Sequence, residues 1–487
     1  MSTALSPLDS LFLHLESPRT PMHMGSIGVF EGAPLTDADG RVRIEELRRR
    51  VDTRLRLVPK LRQHLSSSPL MLLPRRWEDD PAFDIAAHVR QAAVPSPGSD
   101  AELLELSAEI LSWPMCRARP LWELWVIEGL AGGRIAVLEK LHHSVADGLG
   151  GVELAAVLLD LERHPRPAAG EPEAWHPRRG TGLARLVAED MASMAHDAGS
   201  RMGHRAAGVL HPRRVLCGAQ SVVDGLRSLL TPAAALAPRC SLNAGVGRRR
   251  RVAVVRQRLA SLRTVERWAG GSVNDVLLTA VAGGVRALHL ARREPMHDLQ
   301  VLLPVGTGHH GDLALGNAVS AMVVRLPLDE ADPLACLRRV AAATASAKRH
   351  HQAAAATALI GELGLGLQPG IAAVAAVIHR QPFVNLVVTN VPGPDDSLYA
   401  MGARMLEAIP IVPIAGNLSM GVAAFSYHGQ FTVGILADRD RCPDVDVMAR
   451  GMDHTFRVLV RRARAASAGG ERRDPEPAAV SAATRAS

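Results

Sequence analysis

The sequence predicts a mixed α/β (α+β) protein made of two halves, each with a mixed sheet and flanking helices. Its 487 residues exceed what a single hydrophobic core usually holds. Short apolar runs with period-two alternation are interspersed with longer segments of helical spacing. A stretch punctuated by Pro, Gly, His and Arg separates the two halves. The predicted divisions are an N-terminal half (1–165), a partly helical interdomain linker (166–245), a C-terminal half (246–465) and a disordered tail (466–487).

The N-terminal half contains three predicted strands and a helix. Residues 24–30 form the first strand, and residues 42–58 have helical spacing. Two further strands at 121–128 and 134–143 are joined by a turn at 131–133, where two glycines follow an alanine. This arrangement predicts a hairpin whose second strand ends in a pair of histidines.

The C-terminal half opens with a predicted strand at 251–257 and a long helix at 273–293, and it closes with a helix at 444–463. Five more strands are predicted between the helices, at 299–304, 320–326, 383–389, 420–427 and 430–437. Mostly antiparallel hairpins are expected in both halves.

Composition and charge restrict the possible partners. Hydrophobic residues make up 47% and charged residues 22%, a balance typical of a globular chain. The net charge of +7 is compatible with nucleic acid, an anionic membrane surface, an anionic substrate or a surface decorated with Arg. Zinc-ligand spacing and a helix-turn-helix pattern are absent from the sequence, and only 3% of residues are aromatic, which argues against nucleic acid.

The five cysteines are far apart, odd in number and never in a Cys-x-x-Cys pair, which argues against a disulfide framework and fits a reducing cytoplasm. The first residues lack the basic and apolar regions of a signal peptide. Runs of about 18 apolar residues are also missing, so peripheral contact with the inner membrane face or with lipid droplets is expected. The segment 213–230 places Arg213, Arg214 and Arg227 among apolar residues, as in a membrane-surface helix or a helix packed on its own protein.

The strand at 134–143 leads into the segment His142-His143-Ser144-Val145-Ala146-Asp147-Gly148. Period-two geometry places the two histidines on opposite faces of the strand, which argues against a two-histidine metal site. The face of His143 also carries Ile135, Val137, Glu139 and Leu141, and the face of His142 carries Ala136, Leu138 and Lys140.

A histidine at the end of a strand suits proton transfer near neutral pH, which makes His143 the candidate general base. Asp147 can cap the following helix or hold the loop that orients His143. Gly148 permits a tight turn or close approach of a substrate. A lone pair of histidines is more often structural, but the Asp-Gly at this offset, between a strand and a helix, favours catalysis.

The segment His-His-x-x-x-Asp-Gly resembles the signature of the CoA-dependent acyltransferase superfamily, which includes chloramphenicol acetyltransferase, carnitine acyltransferases and peptide-synthetase condensation domains. Further segments, in order between residues 5 and 460, resemble one branch, the bacterial wax ester synthase/diacylglycerol acyltransferase family. They are Leu5-Ser-Pro-Leu-Asp-Ser-Leu-Phe, Pro21-Met-His-Met-Gly25, Pro120-Leu121-Trp122, Ile127-Glu128-Gly129, Asn274-Asp275, Gly316-Asn-Ala-Val-Ser-Ala-Met, Asn390-Val-Pro-Gly-Pro394 and Leu436-Ala-Asp-Arg439.

The resemblance implies two chloramphenicol-acetyltransferase-like halves with a cleft or tunnel between them. Acyl-CoA would be the co-substrate, with no metal or redox cofactor, and His143 would take the proton of the acceptor hydroxyl as its oxygen attacks the thioester. His142, Asp147 and Gly148 complete the implied catalytic motif. Two further groups are expected near the cleft: Asn274 and Asp275, as oxyanion support or helix cap, and Pro120, Leu121 and Trp122, lining or bracing the cleft.

The sequence is compatible with four functions. By resemblance the acceptor is diacylglycerol, which gives triacylglycerol, or a long-chain fatty alcohol, which gives a wax ester. The others are a non-catalytic lipid-droplet-binding protein and an acyltransferase acting on polyketide or peptide intermediates. A second histidine pair, His309 and His310, lacks an Asp-Gly at the required offset and is interpreted as part of a loop.

Overall fold

In a computed structural model of the chain, the described residues form two six-stranded sheets and one three-stranded sheet. The structure describes residues 3–66, 75–145, 159–165, 175–178, 236–306, 319–349 and 378–468, together with positions 182, 187–188, 191–192, 371–372 and 375–376.

The first part of the chain alternates short helices with strands. In chain order the elements are β1 (Thr3–Ala4), α1 (Pro7–Leu15), β2 (His23–Glu31), α2 (Ile44–Arg54), β3 (Gln63–Ser66), β4 (Arg76–Asp79), α3 (Ile85–His88), β5 (Val89–Ala93), α4 (Asp100–Ser112), β6 (Trp122–Leu130) and β7 (Arg134–His142).

The second part contains the longer helices. In chain order the elements are β8 (Arg250–Arg258), α5 (Leu259–Ala269), α6 (Val273–Arg292), β9 (Leu299–Gly306), β10 (Val319–Leu326), α7 (Pro333–Arg349), β11 (Leu386–Pro392), β12 (Tyr399–Ala400), β13 (Ala403–Ile411), β14 (Met420–Tyr427), β15 (Gln430–Asp438) and α8 (Val445–Ala468).

The first large sheet has the order β12-β13-β2-β7-β6-β5, so β7 lies inside the sheet between two antiparallel neighbours. β13 comes from the second half of the sequence, yet it pairs antiparallel with β2. Without it, the edge of β2 would expose unpaired backbone groups beside the core. Residues 399–411, which fall within the predicted C-terminal half, thus form part of the first large sheet.

The second large sheet has the order β10-β9-β11-β14-β15-β8 and mixes parallel with antiparallel pairs. Its apolar residues form one buried cluster with those of α5, α6, α7 and α8. On α6, twelve of the twenty residues are buried, which reflects an apolar surface too wide for one contact stripe. These helices cover the face of the second sheet that turns away from the first sheet.

The two large sheets are in close contact where β13 meets β15. A Cβ added to Gly434 on β15 would lie 2.0 Å from the carbonyl oxygen of Pro410 on β13, so a side chain at this position is excluded. Arg256 on β8 adds polar contacts nearby, because its guanidinium donates to Glu407 on β13 and to Asp100 at the start of α4. These contacts join the second large sheet to β13 of the first large sheet and to α4.

Most of the predicted elements are present, most of them with boundaries shifted by no more than three residues, although the closing helix predicted to end at 463 continues to Ala468. The long helix predicted at 273–293 is α6, and the strand at 420–427 is β14. The helix predicted at 42–58 is shorter, because it passes into 3-10 turns after Arg54. The sequence reasoning missed the longer elements α1, α4, α5, α7, β5 and β13 and the short elements β1, β3, β4, α3 and β12.

Most of the predicted linker, including the segment 213–230, lies outside the described residues, as does the tail from 469 onward. Among the described residues of the linker, 175–178 pack on the first half of the chain. The guanidinium of Arg178 donates two hydrogen bonds to the carboxylate of Asp79, and the Trp175 ring lies 4.8 Å from the guanidinium carbon of Arg62. This part of the linker is therefore docked against the first half. Within the described ranges, the helices are all too short or too polar to cross a bilayer.

The contact between Gly434 and Pro410 leads to a prediction about stability. Gly434→Ala should lower the free energy of unfolding by at least ~2 kcal/mol, because the new methyl group forces the two sheets apart. Gly245→Ala is the matched control, since an added Cβ there meets no atom within 4 Å. Urea unfolding of the two variants and the parent measures the difference. Equal stabilities for the two variants would show that the sheets do not depend on this close approach.

Candidate active site

A cavity of about 510 Å³ lies between the two large sheets and is walled by strands of both sheets, by α1 and by α2. This volume is within the usual range for a small-molecule site. The lining is overwhelmingly apolar. Among the described residues, its polar or ionisable members are Ser26, Arg50, Glu139, His143, Gln381 and Thr389.

Side chains of β7 and the residue after it reach the cavity from alternate positions. Val137, Glu139, Leu141 and His143 all line it, whereas Leu138, Lys140 and His142 do not. The alternation predicted from the period of a strand is therefore confirmed, and it brings one histidine of the pair into the cavity.

His143 is held by contacts on two sides. Its backbone N–H donates a hydrogen bond of 2.9 Å to the carbonyl oxygen of Met22, which precedes β2. Its imidazole stacks on the Phe12 ring from α1, with ring centroids 3.9 Å apart and planes 16° from parallel. The ring is half-buried, and its accessible part faces the cavity. A side chain fixed in this way can meet a hydroxyl group in a defined orientation.

α1 owes its position to a strong start signal in the sequence. The Ser6 hydroxyl accepts a hydrogen bond of 3.0 Å from the backbone N–H of Asp9, and Pro7 occupies the first helical position. Leu8, Phe12 and Leu15 follow at helical spacing on one face and line the cavity. The local sequence thus places the Phe12 ring next to the imidazole of His143.

His142 lies on the other side of the strand, fully buried and away from the cavity. Its Nδ1 accepts a hydrogen bond of 3.0 Å from the backbone N–H of Ser144, and the Ser144 hydroxyl is 2.7 Å from the same atom. Since Nδ1 accepts, the ring proton is assigned to Nε2, which faces Glu16 Oε1 at 3.5 Å. These contacts fix the backbone turn that follows β7.

The carboxylate of Glu16, at the end of α1, is the centre of a buried polar cluster. Its Oε2 accepts hydrogen bonds of 3.0 and 2.7 Å from Arg117, and its Oε1 is 3.5 Å from Nε2 of both His23 and His142. Burial opposes ionisation of Glu16, but the two histidines and Arg117 outweigh it and hold the pKa of this carboxyl well below its usual range. Burial also lowers the pKa of His23 to about 4, so that imidazole is neutral near pH 7.

Lys140 shares the buried face with His142. Its ammonium donates hydrogen bonds of 2.6 Å to the carbonyl oxygen of Trp113 and of 3.3 Å to Glu123. Burial lowers the pKa of Lys140, and the Glu123 carboxylate partly compensates. This lysine therefore anchors β7 to its surroundings and has no access to the cavity.

Glu139 is the one carboxyl group among the described residues that line the cavity. Its Oε2 accepts a hydrogen bond of 3.2 Å from the Ser26 hydroxyl, and its Oε1 has no hydrogen-bond partner within the described ranges. The side chain is half-buried and lines the cavity, while its Oε1 atom is buried. Burial among apolar neighbours raises its pKa to about 7, against the smaller opposing effect of Ser26. Near neutral pH a large fraction of this group is protonated.

Arg50 on α2 is the other side chain with formal charge in the lining. It donates to the buried carboxylate of Asp160, which also binds Arg54 one helical turn further on. Gln381 likewise has its hydrogen-bonding capacity used locally, because its amide oxygen accepts from the backbone N–H groups of Phe383 and Val384. The side chains of Arg50 and Gln381 therefore make their hydrogen bonds to other groups of the protein.

Pro120, Leu121 and Trp122 brace the site without lining the cavity. All three are buried, and the carbonyl oxygen of Leu121 accepts a hydrogen bond of 3.0 Å from the backbone N–H of His142. The indole N–H of Trp122 donates a hydrogen bond of 2.7 Å to the carbonyl oxygen of Leu61. The Trp122 ring stacks on the His88 ring, with centroids 4.6 Å apart. This segment holds the end of β7 from the side opposite β2.

Asn274 and Asp275 lie at the start of α6, and neither lines the cavity. The Asp275 carboxylate accepts from the backbone N–H of Ser272, and the Ser272 hydroxyl accepts in turn from the N–H of Asp275. The other carboxylate oxygen of Asp275 accepts a hydrogen bond of 2.6 Å from the Thr344 hydroxyl on α7. Of the two roles expected for this pair, the contacts of Asp275 are those of a helix cap, and the described contacts offer no support for the oxyanion role.

The catalytic motif is described only in part. His142 and His143 are placed, while Asp147 and Gly148 lie outside the described residues, as do His309 and His310. The loop is visible as far as Val145, whose carbonyl oxygen accepts a hydrogen bond of 2.8 Å from the Lys60 ammonium. The predicted roles of the Asp-Gly pair therefore stay predictions.

Sequence reasoning missed several residues that hold the histidines, chiefly Phe12, Glu16, His23 and Arg117. The helix start at Ser6-Pro7 could have been found, because capping serine and proline precede an apolar face. The partners of Glu16 could not, since Arg117 is about a hundred residues away in the chain. The strand period placed Glu139 on the face of His143, but it did not indicate that this carboxyl group is buried, because a polar residue in a strand ordinarily faces solvent.

Two family models match this chain. The wax ester synthase/diacylglycerol acyltransferase catalytic domain matches residues 5–277, and the WS/DGAT C-terminal domain matches residues 315–459. A probable diacylglycerol O-acyltransferase of Mycobacterium tuberculosis is 34% identical over 468 residues, or 94% of this chain and 95% of the relative. A putative diacylglycerol O-acyltransferase of the same species is 30% identical over 463 residues, or 94% of this chain and 90% of the relative.

Solved structures with the same fold include a wax ester synthase/diacylglycerol acyltransferase from Marinobacter aquaeolei. It has a TM-score of 0.65 and 24% identity, and the match covers 95% of this chain and all of that one. The first condensation domain of the CDA synthetase has a TM-score of 0.56 and 16% identity, with 95% and 96% of the two chains covered. At these identities the likeness shows a common fold, and it confirms the predicted fold class of two chloramphenicol-acetyltransferase-like halves.

The buried carboxyl of Glu139 leads to a prediction about pH and stability. Its folded-state pKa of about 7 lies above the ordinary 4.5, so the group favours folding below pH 4.5, and this contribution is lost as the pH rises through 7. Glu139→Gln stays neutral at every pH. Its free energy of unfolding should therefore rise by about 3 kcal/mol relative to that of the parent as the pH increases from 4.5 to 8.5. Denaturant unfolding across that range measures the gain.

The matched control for this series is Glu109→Gln, an exposed carboxyl on α4. Its replacement should leave the pH profile of unfolding unchanged. A stability difference between Glu139→Gln and the parent that stays constant from pH 4.5 to 8.5 would contradict the account of Glu139.

Proposed function

Since the chain belongs to the wax ester synthase/diacylglycerol acyltransferase family, it is an acyltransferase, and we propose that it transfers a long-chain acyl group from acyl-CoA to the hydroxyl of diacylglycerol. The product would be triacylglycerol. The observation that carries the proposal is the position of His143, whose stacked imidazole opens into an apolar cavity of about 510 Å³. A long alkyl chain fits such a lining, and the imidazole is suited to a hydroxyl proton.

In the proposed reaction, His143 accepts the proton of the acceptor hydroxyl while the oxygen forms a bond to the thioester carbonyl carbon. The tetrahedral intermediate collapses with cleavage of the carbon–sulfur bond. The CoA thiolate leaves and takes up the proton that the imidazole received, which regenerates the neutral base. Direct attack of this kind requires no acyl-enzyme, and proton transfer with thioester cleavage calls for neither a metal nor a redox cofactor.

His142 has a positioning role in this proposal. Its ring lies on the buried side of β7, where Ser144 and Glu16 hold it. The backbone N–H groups of the two adjacent histidines bond to opposite neighbours, Leu121 and Met22. The polar cluster behind the strand thereby supports the direction in which His143 points.

The acceptor distinguishes the main proposal from its alternative. A fatty alcohol in place of diacylglycerol would give a wax ester, and the names of the matched family and of the Marinobacter structure include both activities. Purified protein would be incubated with labelled palmitoyl-CoA and diacylglycerol, hexadecanol or glycerol, and the lipid products separated by chromatography. We expect most of the label in triacylglycerol. Label mainly in the wax ester would support the alternative, and label in neither product would contradict the proposal.

The role of His143 gives a second prediction. His143→Ala should fold normally and lose at least ~10²-fold in acyl transfer, because only the base is removed. His142→Ala should lower the melting temperature, since it disrupts the contacts of Glu16, but it should keep more activity than His143→Ala. Initial rates and thermal melts of both variants make the comparison. A well-folded His143→Ala protein with parental rates would contradict the mechanism.

We further propose that the protein meets its insoluble acceptor at a lipid surface, as a peripheral protein on the cytoplasmic side of the membrane or on lipid droplets. The net charge of +7 supports contact with anionic lipid. The segment 213–230, which lies outside the described residues, combines three arginines with apolar side chains in the sequence. Each arginine near an anionic surface contributes on the order of 1 kcal/mol, and salt screens the attraction.

Replacement of Arg213, Arg214 and Arg227 by Glu should therefore weaken co-sedimentation with anionic liposomes and spare turnover of a soluble short-chain alcohol. The charge-matched control replaces three exposed arginines elsewhere, Arg263, Arg267 and Arg461, by Glu. Parental binding should weaken at high salt and on neutral lipid. Equal liposome binding by the two triple variants would show that the segment is not the contact.

A further inference from the structure

One polar pair interrupts the apolar wall that β2 and β7 present to the cavity. Ser26 and Glu139 are directly opposite each other in the register of the two strands, and their side chains are hydrogen-bonded at 3.2 Å. The neighbouring cross-strand pair on one side is Met24 with Leu141. On the other side, Val137 faces Gly28, and the space beside this glycine is filled by the Phe30 ring and the Met405 sulfur, so the wall there is apolar as well.

The pair retains unused hydrogen-bonding capacity. Glu139 Oε1 has no hydrogen-bond partner among the described residues, and the pKa of about 7 lets the carboxyl donate as well as accept near neutral pH. This oxygen is already buried without a ligand, and a plain alkyl chain in the cavity would leave it unsatisfied. A chain with its own hydroxyl or carbonyl oxygen at this point would satisfy it.

The position of the pair along the strand sets where such an oxygen must be. Glu139 precedes His143 by four residues on the same strand face, which corresponds to about 13 Å. An extended chain advances by about 1.2 Å per bond, so the distance spans about ten bonds. A chain that reacts at His143 and runs along β7 passes Glu139 at its middle.

We infer that Glu139 and Ser26 form a specificity subsite for long chains that carry a hydroxyl or another hydrogen-bonding oxygen about ten bonds from the reacting group. The inference rests on the proposed function, since it assumes that acyl transfer takes place at His143. Either the acyl chain of the donor or the chain of the acceptor could present this oxygen, and the chemistry recognised is the same in both cases.

The test compares kcat/KM for matched chains in two arms. In the donor arm, stearoyl-CoA is compared with stearoyl-CoA hydroxylated about ten bonds from its carbonyl and with an isomer hydroxylated at the chain end. In the acceptor arm, the same three chains are supplied as alcohols with palmitoyl-CoA as donor. We expect the mid-chain hydroxyl to raise kcat/KM at least ~5-fold over both other chains in one of the arms.

Variants assign the preference to the pair. Glu139→Leu should abolish the preference, because the group that binds the mid-chain hydroxyl is removed. Glu139→Gln, which keeps an acceptor and a donor, should retain it. Ser26→Ala should reduce it at least ~3-fold, because the carboxyl loses its partner. The matched control is Ser107→Ala, a buried serine on α4 outside the cavity, which should leave the preference unchanged.

Two results would overturn the inference. One is a preference below ~5-fold in both arms of the parent protein. The other is a preference that survives unchanged in Glu139→Leu or, should that variant fail to fold, in Ser26→Ala. Failure of the proposed function looks different, because the parent protein would then transfer no acyl group from plain stearoyl-CoA or palmitoyl-CoA to any acceptor.

Discussion

The backbone register of β7 decides which side chains can reach the cavity. The strand lies between β2 and β6, and successive residues point to opposite faces of the sheet. A slip by one residue would place Lys140 and His142 in the apolar cavity and bury His143 behind the sheet. The slip is opposed at the end of the strand, where the N–H of His142 bonds to Leu121 on one side and the N–H of His143 bonds to Met22 on the other.

α1 links the two faces that this register separates. Phe12 stacks on the His143 ring within the cavity, and Glu16, which follows the last turn, reaches His142 behind the sheet. Arg117 balances the charge of Glu16 and also donates to the carbonyl oxygen of Leu13 near the end of the helix. One short helix therefore sets the orientation of the half-buried His143 imidazole and stabilises the buried His142 imidazole, which gives the amino-terminal residues a direct structural part in the site.

The parts of the structure that depend on local sequence could be predicted, and those that depend on distant pairing could not. The period of β7 correctly placed Val137, Glu139, Leu141 and His143 on one face. The pairing of β13 with β2 had no local signal, since it joins strands from opposite halves of the chain. The same holds for the contact of Gly434 with Pro410. The capping role of Asp275, by contrast, depends on local sequence, and it was one of the two roles expected from the place of this residue at a helix start.

The central claim is that acyl transfer takes place in the cavity with His143 as the base. The most direct test is a crystal structure with a non-cleavable long-chain acyl-CoA analogue and an acceptor alcohol. The account predicts the acceptor oxygen within about 3.2 Å of a His143 ring nitrogen and an alkyl chain in the cavity between the two sheets. An analogue bound elsewhere, or an acceptor oxygen out of reach of His143 with the chain in place, would contradict it.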